Sequence, residues 1–180
     1  MQTVGFGPTS LSTPGYIKAV SRAYKLAPTI CPQAVDAWKA LADETSEHFY
    51  RLNGAVDIVI VSEANPYPTA YAMLSDIANG RLLVSEANCE HPLWDRDENI
   101  RFRVVHDIIG HASTGAGFDF AGEFKAYEQH DAITKDPRAR RALFTEAVGQ
   151  VAYALDNDGF GEQKCAILPQ WLLWAYKEHH

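Results

Sequence analysis

The chain has 180 residues, of which 47% are apolar and 22% charged, as is typical of a soluble globular protein. This length fits one compact domain covering residues 1–180. No stretch approaches the roughly 18 uninterrupted apolar residues of a membrane helix, and the first residues lack the basic and apolar regions of an export signal. These features predict a cytoplasmic protein with no membrane partner.

The net charge of −7 is unevenly distributed along the chain. From Glu86 to Asp131 there are ten acidic residues against four Lys or Arg. Because such a surface repels phosphate groups, we expect no nucleic-acid partner, and we interpret the basic run at 135–141 as the solvated start of a helix. The three cysteines are widely spaced and form no CxxC pair, which argues against a disulfide framework and a thiolate zinc site.

The first half of the chain predicts helices interrupted by two short strands. Apolar residues recur at helical spacing, and Pro32 suits the first turn of a helix. A later helix should stop at Asn79 and Gly80, between two short runs rich in β-branched or aliphatic residues. We expect helices at residues 15–27, 31–52 and 67–80, and strands at 55–61 and 81–87.

The second half of the chain is predicted to be helical. Residues 95–169 form the predicted metal-binding half of the domain. Asp136 is the expected N-cap of a long helix, with Pro137 in its first turn and Gly159 beyond its end. We therefore predict a mainly α fold: a single compact helical domain that also contains a small two-stranded sheet, and so belongs to the α+β class. The expected helices cover residues 94–113, 120–130 and 136–158, followed by an apolar segment at 163–180 that is broken at Pro169.

The stretch "RVVHDIIGHAST" places His106 and His111 five residues apart. On an α-helix, residues five apart are separated by about 140°, so the two rings would not share a face. They can converge only if the helix ends or bulges at Gly110, the residue of the motif with the most conformational freedom. The alternative is a helix with one core histidine and one solvated histidine. We interpret the pair as metal ligands, since histidine is the commonest protein ligand of metals.

Two glutamates are candidates for a third ligand. Glu146 lies among small and apolar residues, where an unpaired carboxylate is costly to bury, so we choose it as the third metal ligand beside His106 and His111. It would alternatively form an ion pair with one of the nearby arginines, Arg140 or Arg141. Three further residues are assigned to catalysis: Asp107, which orients a ligand ring or replaces His106, and Glu123 and His130, which share a helical face and handle protons or orient the substrate.

Residues 100–150 resemble the iron-binding core of the aromatic amino acid hydroxylases. "HDIIGH" is similar to that family's "HE-x-x-GH", and "LFTEAVGQ" is similar to the later phrase that carries its glutamate ligand. The resemblance implies His106, His111 and Glu146 as ligands of Fe(II). Asp107 replaces the family's glutamate and no pterin-binding segment is recognisable, so pterin is not an expected cofactor. The pattern HDxxGH…GE…TExxGQ also resembles a group of small proteins often encoded by bacteriophages, which implies no activity.

These observations predict a mononuclear non-haem Fe(II) oxygenase that hydroxylates a small organic substrate through a 2-His-1-carboxylate site. The second hypothesis is a zinc-dependent hydrolase on the same ligands, with Glu123 or Asp107 as general base. The third is a non-enzymatic, phage-type protein that interacts with a host protein.

Residues outside the metal motif have less specific interpretations. Trp171, Trp174 and Tyr176 are spaced for one helical face, which predicts core packing, a protein partner or a homo-oligomer. Gln163 and Lys164 face the pocket or lie in a solvated turn. His179 and His180 are consistent with a remnant of a purification tag.

Overall fold

The computed structural model describes residues 13–52 and 54–177, which are mainly helical with one small sheet. The predicted mainly α fold with a two-stranded sheet is therefore confirmed. The first residues of the chain and the terminal pair His179 and His180 lie outside the described residues. The helices are α1 (Thr13–Leu26), α2 (Val35–Arg51), α3 (Ala70–Ala78), α4 (Arg96–Val105), α5 (Phe120–Ile133), α6 (Pro137–Leu143), α7 (Gln150–Asn157) and α8 (Gln170–Lys177), and the strands are β1 (Asp57–Val61) and β2 (Arg81–Ser85).

Two π-helical segments interrupt longer helices. The first, π1 (His106–Ala112), continues α4, and the second, π2 (Phe144–Gly149), joins α6 to α7. A π-helix has hydrogen bonds between residues five apart, and such segments occur mostly as single turns inside α-helices, often at functional sites. The two predicted long helices are therefore present, but each contains a wider turn that helical periodicity alone does not reveal.

The sheet is a parallel pair, with Asp57 opposite Arg81 and Val61 opposite Ser85. Parallel strands need a crossover connection, and α3 supplies it. As predicted, α3 ends at Asn79, and Gly80 follows with a φ of +82°, a conformation that favours glycine. The sheet packs on α3 and α4 through a small apolar cluster composed of Met73, Leu82, Val84, Ile100 and Val104.

The main hydrophobic core lies between the remaining helices, where α1 packs on α7 and α2 packs on α6 and α4. Trp38 is fully buried in it, and its indole Nε1–H donates to the carbonyl of Ala166 at 2.9 Å. Trp94 in turn donates to the carbonyl of Trp38 at 3.2 Å. These bonds connect α2 both to the start of α4 and to the chain before α8, and so hold the helices of the second half of the chain against the first half.

The helices of the C-terminal half begin and end largely at the predicted residues. Asp136 is the N-cap of α6, accepting from the backbone N–H of Arg138, and Pro137 is the first helical residue. At the far end of α7, Asp158 adopts the left-handed conformation with φ of 55° and Gly159 follows it. Among the described residues, no helix combines the length and the apolar character needed to cross a bilayer.

Two sequence interpretations in this half need correction. Gln163 and Lys164 are buried rather than in a solvated turn, since Gln163 donates to the carbonyl of Asn88 and Lys164 to that of Ala27, each at 2.8 Å. The aromatic residues of α8 do not share one face. Tyr176 is buried against Phe124, with ring centroids 3.6 Å apart, because α8 packs on the core. Trp171 and Trp174, by contrast, are exposed, and their role in binding a partner stays a prediction.

The start of α4 carries a capping box that fixes the helix leading into π1. The Asp95 carboxylate accepts from the backbone N–H of Glu98, and the Glu98 carboxylate accepts from the N–H of Asp95. We predict that Asp95→Ala lowers the free energy of unfolding by about 1 kcal/mol, the usual cost of losing an N-cap. The check is urea denaturation followed by circular dichroism. Asp97→Ala is the control, because Asp97 is exposed and its ion pair is with the exposed Arg96; equal effects of both changes would contradict the prediction.

Candidate metal centre

The π1 segment brings His106 and His111 together despite their five-residue spacing. Its hydrogen bonds connect residues five apart, as in the bond from the N–H of Ser113 to the carbonyl of Ile108. Residues five apart in such a turn lie on nearly the same side of the helix. The two imidazole rings are accordingly close, with centroids 5.0 Å apart and planes inclined at 87°. Of the two arrangements expected from sequence, the structure has the bulge.

Gly110 is required in π1 for a different reason from the one expected. Its backbone does not adopt a positive φ; instead the segment packs directly on α5. A β-carbon at Gly110 would lie 3.0 Å from both the β-carbon and the carbonyl oxygen of Ala126. The absence of a side chain therefore sets how closely the two histidines approach α5.

The carboxylate that completes the cluster is Glu123, in the first turn of α5. This helix starts at the N-cap Asp119, whose carboxylate accepts from the N–H of Gly122 at 2.8 Å. Oε2 of Glu123 lies 3.6 Å from Nε2 of His106 and 3.4 Å from Nε2 of His111. One donor atom from each residue lies within 4.8 Å of the other two. Ligands about 2.0–2.1 Å from a tetrahedral metal ion are separated by about 3.3 Å, so the spacing suits a single ion.

The electrostatics of the cluster favour a charged carboxylate. Burial acts to raise the pKa of Glu123, but the two imidazoles outweigh it and lower the pKa to about 2. For His111, burial acts to lower the pKa, while Glu123, Asp107 and the Ala116 carbonyl raise it overall. The histidines and the glutamate thus stabilise one another electrostatically at the edge of the core, where His111 is almost fully buried and the other two are partly accessible.

The second nitrogen of His111 has a hydrogen-bond partner, whereas that of His106 does not. Nδ1 of His111 lies 3.2 Å from the carbonyl oxygen of Ala116, which can only accept, so Nδ1 donates its proton there and Nε2 is the nitrogen that faces Glu123. Nδ1 of His106 is buried and has no partner among the described residues. The His106 ring stacks on Phe102, with centroids 5.9 Å apart and planes inclined at 8°.

His130 and Asp107, which the sequence assigned to catalysis with Glu123, both lie near this cluster. His130 is 1% exposed and its ring centroid is 5.9 Å from that of His106. Burial lowers the pKa of His130 well below its usual value, and the nearby His106 and His48 add to this. Burial raises the pKa of Asp107 to about 6 against the opposing effect of the two imidazoles, and its half-buried carboxyl forms no hydrogen bond within the described residues.

Glu146, chosen from sequence as the third ligand, lies in π2 and is not part of the His106–His111–Glu123 cluster. Its Oε2 is buried and has no hydrogen-bond partner within residues 13–52 and 54–177. Burial raises its pKa to about 7, although the Gln150 amide and the Arg103 guanidinium both act to lower it. The alternative ion pair with Arg140 is not formed, because Arg140 donates to the carbonyls of Asp131 and Thr134. Ligation by Glu146 stays a prediction that metal binding can test.

Sequence reasoning named every titratable residue of the cluster but not the groups that support it. The Ala116 carbonyl is a backbone group that the sequence does not single out, and nothing in the sequence distinguishes Phe102 from an ordinary core residue. His48, whose buried Nε2 also lacks a partner in the described chain, lies far from the motif in sequence. Only the tertiary fold brings α2 and its histidine to the neighbourhood of His130.

The chain matches no family model, no curated protein and no solved structure in comparisons with known proteins.

We predict that Gly110→Ala destabilises the protein by about 1–3 kcal/mol, because the new methyl group forces π1 away from the backbone of α5. Urea denaturation of wild type and variant measures the change. Gly117→Ala is the matched control, since a β-carbon there would meet nothing closer than 3.6 Å. A Gly110→Ala protein as stable as Gly117→Ala would show that the close contact is not essential.

The raised pKa of Glu146 predicts a specific dependence of stability on pH. Between its ordinary value of 4.5 and about 7, the folded protein binds a proton that the unfolded chain has released. Stability from this residue is therefore present at low pH and is lost as the pH rises through about 7. From pH 5 to pH 8, wild type should lose about 2 kcal/mol more than Glu146→Gln. Urea denaturation of both proteins at the two pH values measures the free energy of unfolding. Equal losses of stability in the two proteins would show that the raised pKa of Glu146 is not the cause.

Proposed function

We propose that His106, His111 and Glu123 bind one divalent metal ion and that the protein is a mononuclear non-haem Fe(II) oxygenase acting on a small organic substrate. The observation that carries the proposal is the convergence of two imidazole Nε2 atoms on one carboxylate oxygen, at 3.6 and 3.4 Å. Two histidines and one carboxylate on one side of a metal ion, with the other positions open, are typical of the Fe(II) oxygenases.

The chemistry of the donors supports a hard or borderline divalent ion. Two neutral imidazoles and one carboxylate leave a net charge of about +1 on a bound divalent cation, and the described cluster contains no thiolate that would favour a softer metal. Fe(II) on these ligands would supply the one-electron and dioxygen chemistry of hydroxylation. The protein supplies the preorganisation: the Ala116 carbonyl fixes the His111 ring, and the close contact of π1 with α5 sets the distance to Glu123.

The partly exposed side of the cluster is where a substrate would enter. His106 and Glu123 retain 12% and 16% exposure of their side chains, while His111 is 2% exposed. Phe118, 39% exposed, packs its edge against the His111 ring with centroids 5.3 Å apart. In the proposed reaction, Phe118 gives an apolar wall near the ligands, and the half-buried Asp107 carboxyl accepts a proton or orients the substrate.

A zinc-dependent hydrolase is the second candidate, and the position of Asp107 favours it. Two histidines and a glutamate also form the zinc site of several hydrolases, which need a nearby base to take a proton from water. The Asp107 carboxyl lies close enough to both histidines and to Glu123 for their charges to affect it, and it has no hydrogen-bond partner within the described residues. The same ligand set therefore serves either metal, and metal identity separates the two functions.

Metal binding by paired glutamine variants tests the ligand set. Metal-free wild type, Glu123→Gln and Glu146→Gln are titrated anaerobically with Fe(II) and, separately, with Zn(II). Replacing a residue around a metal ligand typically lowers affinity by about 10–100-fold, so loss of the ligand itself should lower it by about 100-fold or more in Glu123→Gln. Glu146→Gln should bind like wild type. If instead only Glu146→Gln loses affinity, Glu123 is not the ligand and the site predicted from sequence stands.

Metal content and dioxygen reactivity then distinguish the two enzymes. Protein purified without chelator or metal-affinity resin should contain about one iron per chain, as one His–His–Glu site requires. Its Fe(II) form should bind nitric oxide, a dioxygen surrogate, and give the corresponding paramagnetic resonance signal. One zinc per chain would support the hydrolase, and absence of both metals together with no binding in the titrations would refute both functions.

A further inference from the structure

His130 lies beside the proposed ligand His106, on the same helix as Glu123. Seven residues, close to two helical turns, separate Glu123 from His130, so one element carries both the carboxylate and this imidazole. The ring centroids of His130 and His106 are 5.9 Å apart, with their planes inclined at 40°. Phe102 contacts both rings, with centroids 5.9 Å from His106 and 5.5 Å from His130. The two imidazole rings therefore lie near each other and pack against the same aromatic side chain.

Both rings have an unpaired nitrogen in the interior. Nδ1 of His106 and Nδ1 of His130 are each buried, and neither has a hydrogen-bond partner in residues 13–52 and 54–177. A histidine that binds a metal through one nitrogen almost always donates its other N–H to an acceptor. His111 follows this rule through the Ala116 carbonyl, whereas His106 has no carbonyl or carboxylate partner for Nδ1. The His130 imidazole lies beside the His106 ring.

We propose that His130 is a positioning residue for His106, with its Nδ1 accepting the Nδ1–H of His106 through one buried water molecule. This inference rests on the metal site proposed above. The two Nδ1 atoms are not bonded directly, since neither has a hydrogen-bond partner among the described residues, and one water between the neighbouring rings would give each of them a hydrogen bond. Buried water occurs where at least two polar groups would otherwise be unpaired, which is the case here.

His130 is suited to accept rather than to donate at Nδ1. It is 1% exposed and its ring packs on Phe102, and a charged imidazolium is costly to bury in such surroundings. A neutral imidazole has one nitrogen with a lone pair, which can accept. Such an acceptor holds a proton on Nδ1 of His106 and leaves Nε2 to bind a metal ion beside Glu123. His130 would therefore set both the tautomer and the orientation of the ligand ring without touching the metal.

The test compares two substitutions of His130, one that removes the hydrogen-bond acceptor and one that retains it. His130→Phe keeps a planar ring in the core but has no acceptor, and His130→Asn retains an amide oxygen at a distance from the backbone similar to that of Nδ1. Co(II) affinity, followed by visible absorption, should fall about 10–100-fold in His130→Phe and recover most of this loss in His130→Asn. His48→Phe is the control, because it removes another buried histidine that has no ring contact with His106 in the described chain; it should bind Co(II) like wild type.

A second measurement addresses the ring itself in the zinc-bound protein. With zinc on Nε2, the N–H of His106 is at Nδ1, and long-range proton–nitrogen correlation spectra identify its proton resonance. The expected result is a downfield-shifted, hydrogen-bonded Nδ1–H in wild type and His130→Asn, and an upfield shift of this proton in His130→Phe. An Nδ1–H without the hydrogen-bonded shift in wild type would overturn the proposal even if His130→Phe failed to fold, as would an unchanged Nδ1–H resonance and affinity in His130→Phe.

The two measurements separate this inference from the proposed function. If wild type does not bind Co(II), Fe(II) or Zn(II), the metal site is refuted and the role of His130 with it. If wild type binds metal with the same affinity as His130→Phe and the Nδ1–H resonance is unchanged, the metal site stands and only the role of His130 is refuted.

Discussion

The candidate site depends on one backbone feature, the wide turn of π1. An α-helical turn would direct His106 and His111 to positions about 140° apart, and no side-chain rotation would bring both nitrogens to one carboxylate. Hydrogen bonds between residues five apart remove that separation. Glu123 on α5 can contact both imidazoles only because the two rings lie on one side of the helix.

A close helix contact converts this local geometry into a three-residue cluster. Gly110 allows π1 to approach the backbone of α5 at Ala126, and this contact brings Glu123 within 3.4 Å of His111. Because the carboxylate and the imidazoles attract one another at a partly buried position, the three side chains are held together without a metal ion. A bound ion would take the place of a proton between Nε2 of His111 and Glu123.

Much of the fold could be predicted because local patterns agree with it. Asn79 and Gly80, Asp136 and Pro137 mark helix ends through their own backbone preferences. The third position of the cluster was harder. Glu123 and Glu146 are both helical glutamates near the motif, and their positions in the sequence do not say which helix face meets π1. That choice is made by the packing at Gly110, a contact between residues 16 apart in the chain, 110 and 126. The spacing HxxxxH could predict a bulge, but the packing partner of the bulge could not be predicted.

The hydrogen-bond register of π1 also bears on how such a motif can arise. A helix with histidines four apart already presents both rings on one face through ordinary α-helical bonds. Adding one residue between them, at the position of Ile109 for example, gives the present spacing and is absorbed as a single π turn. Because the π turn takes up the extra residue, His111 and the residues after it keep nearly the direction they would have in an uninterrupted helix. The chain after π1 can therefore turn back so that the Ala116 carbonyl accepts from Nδ1 of His111.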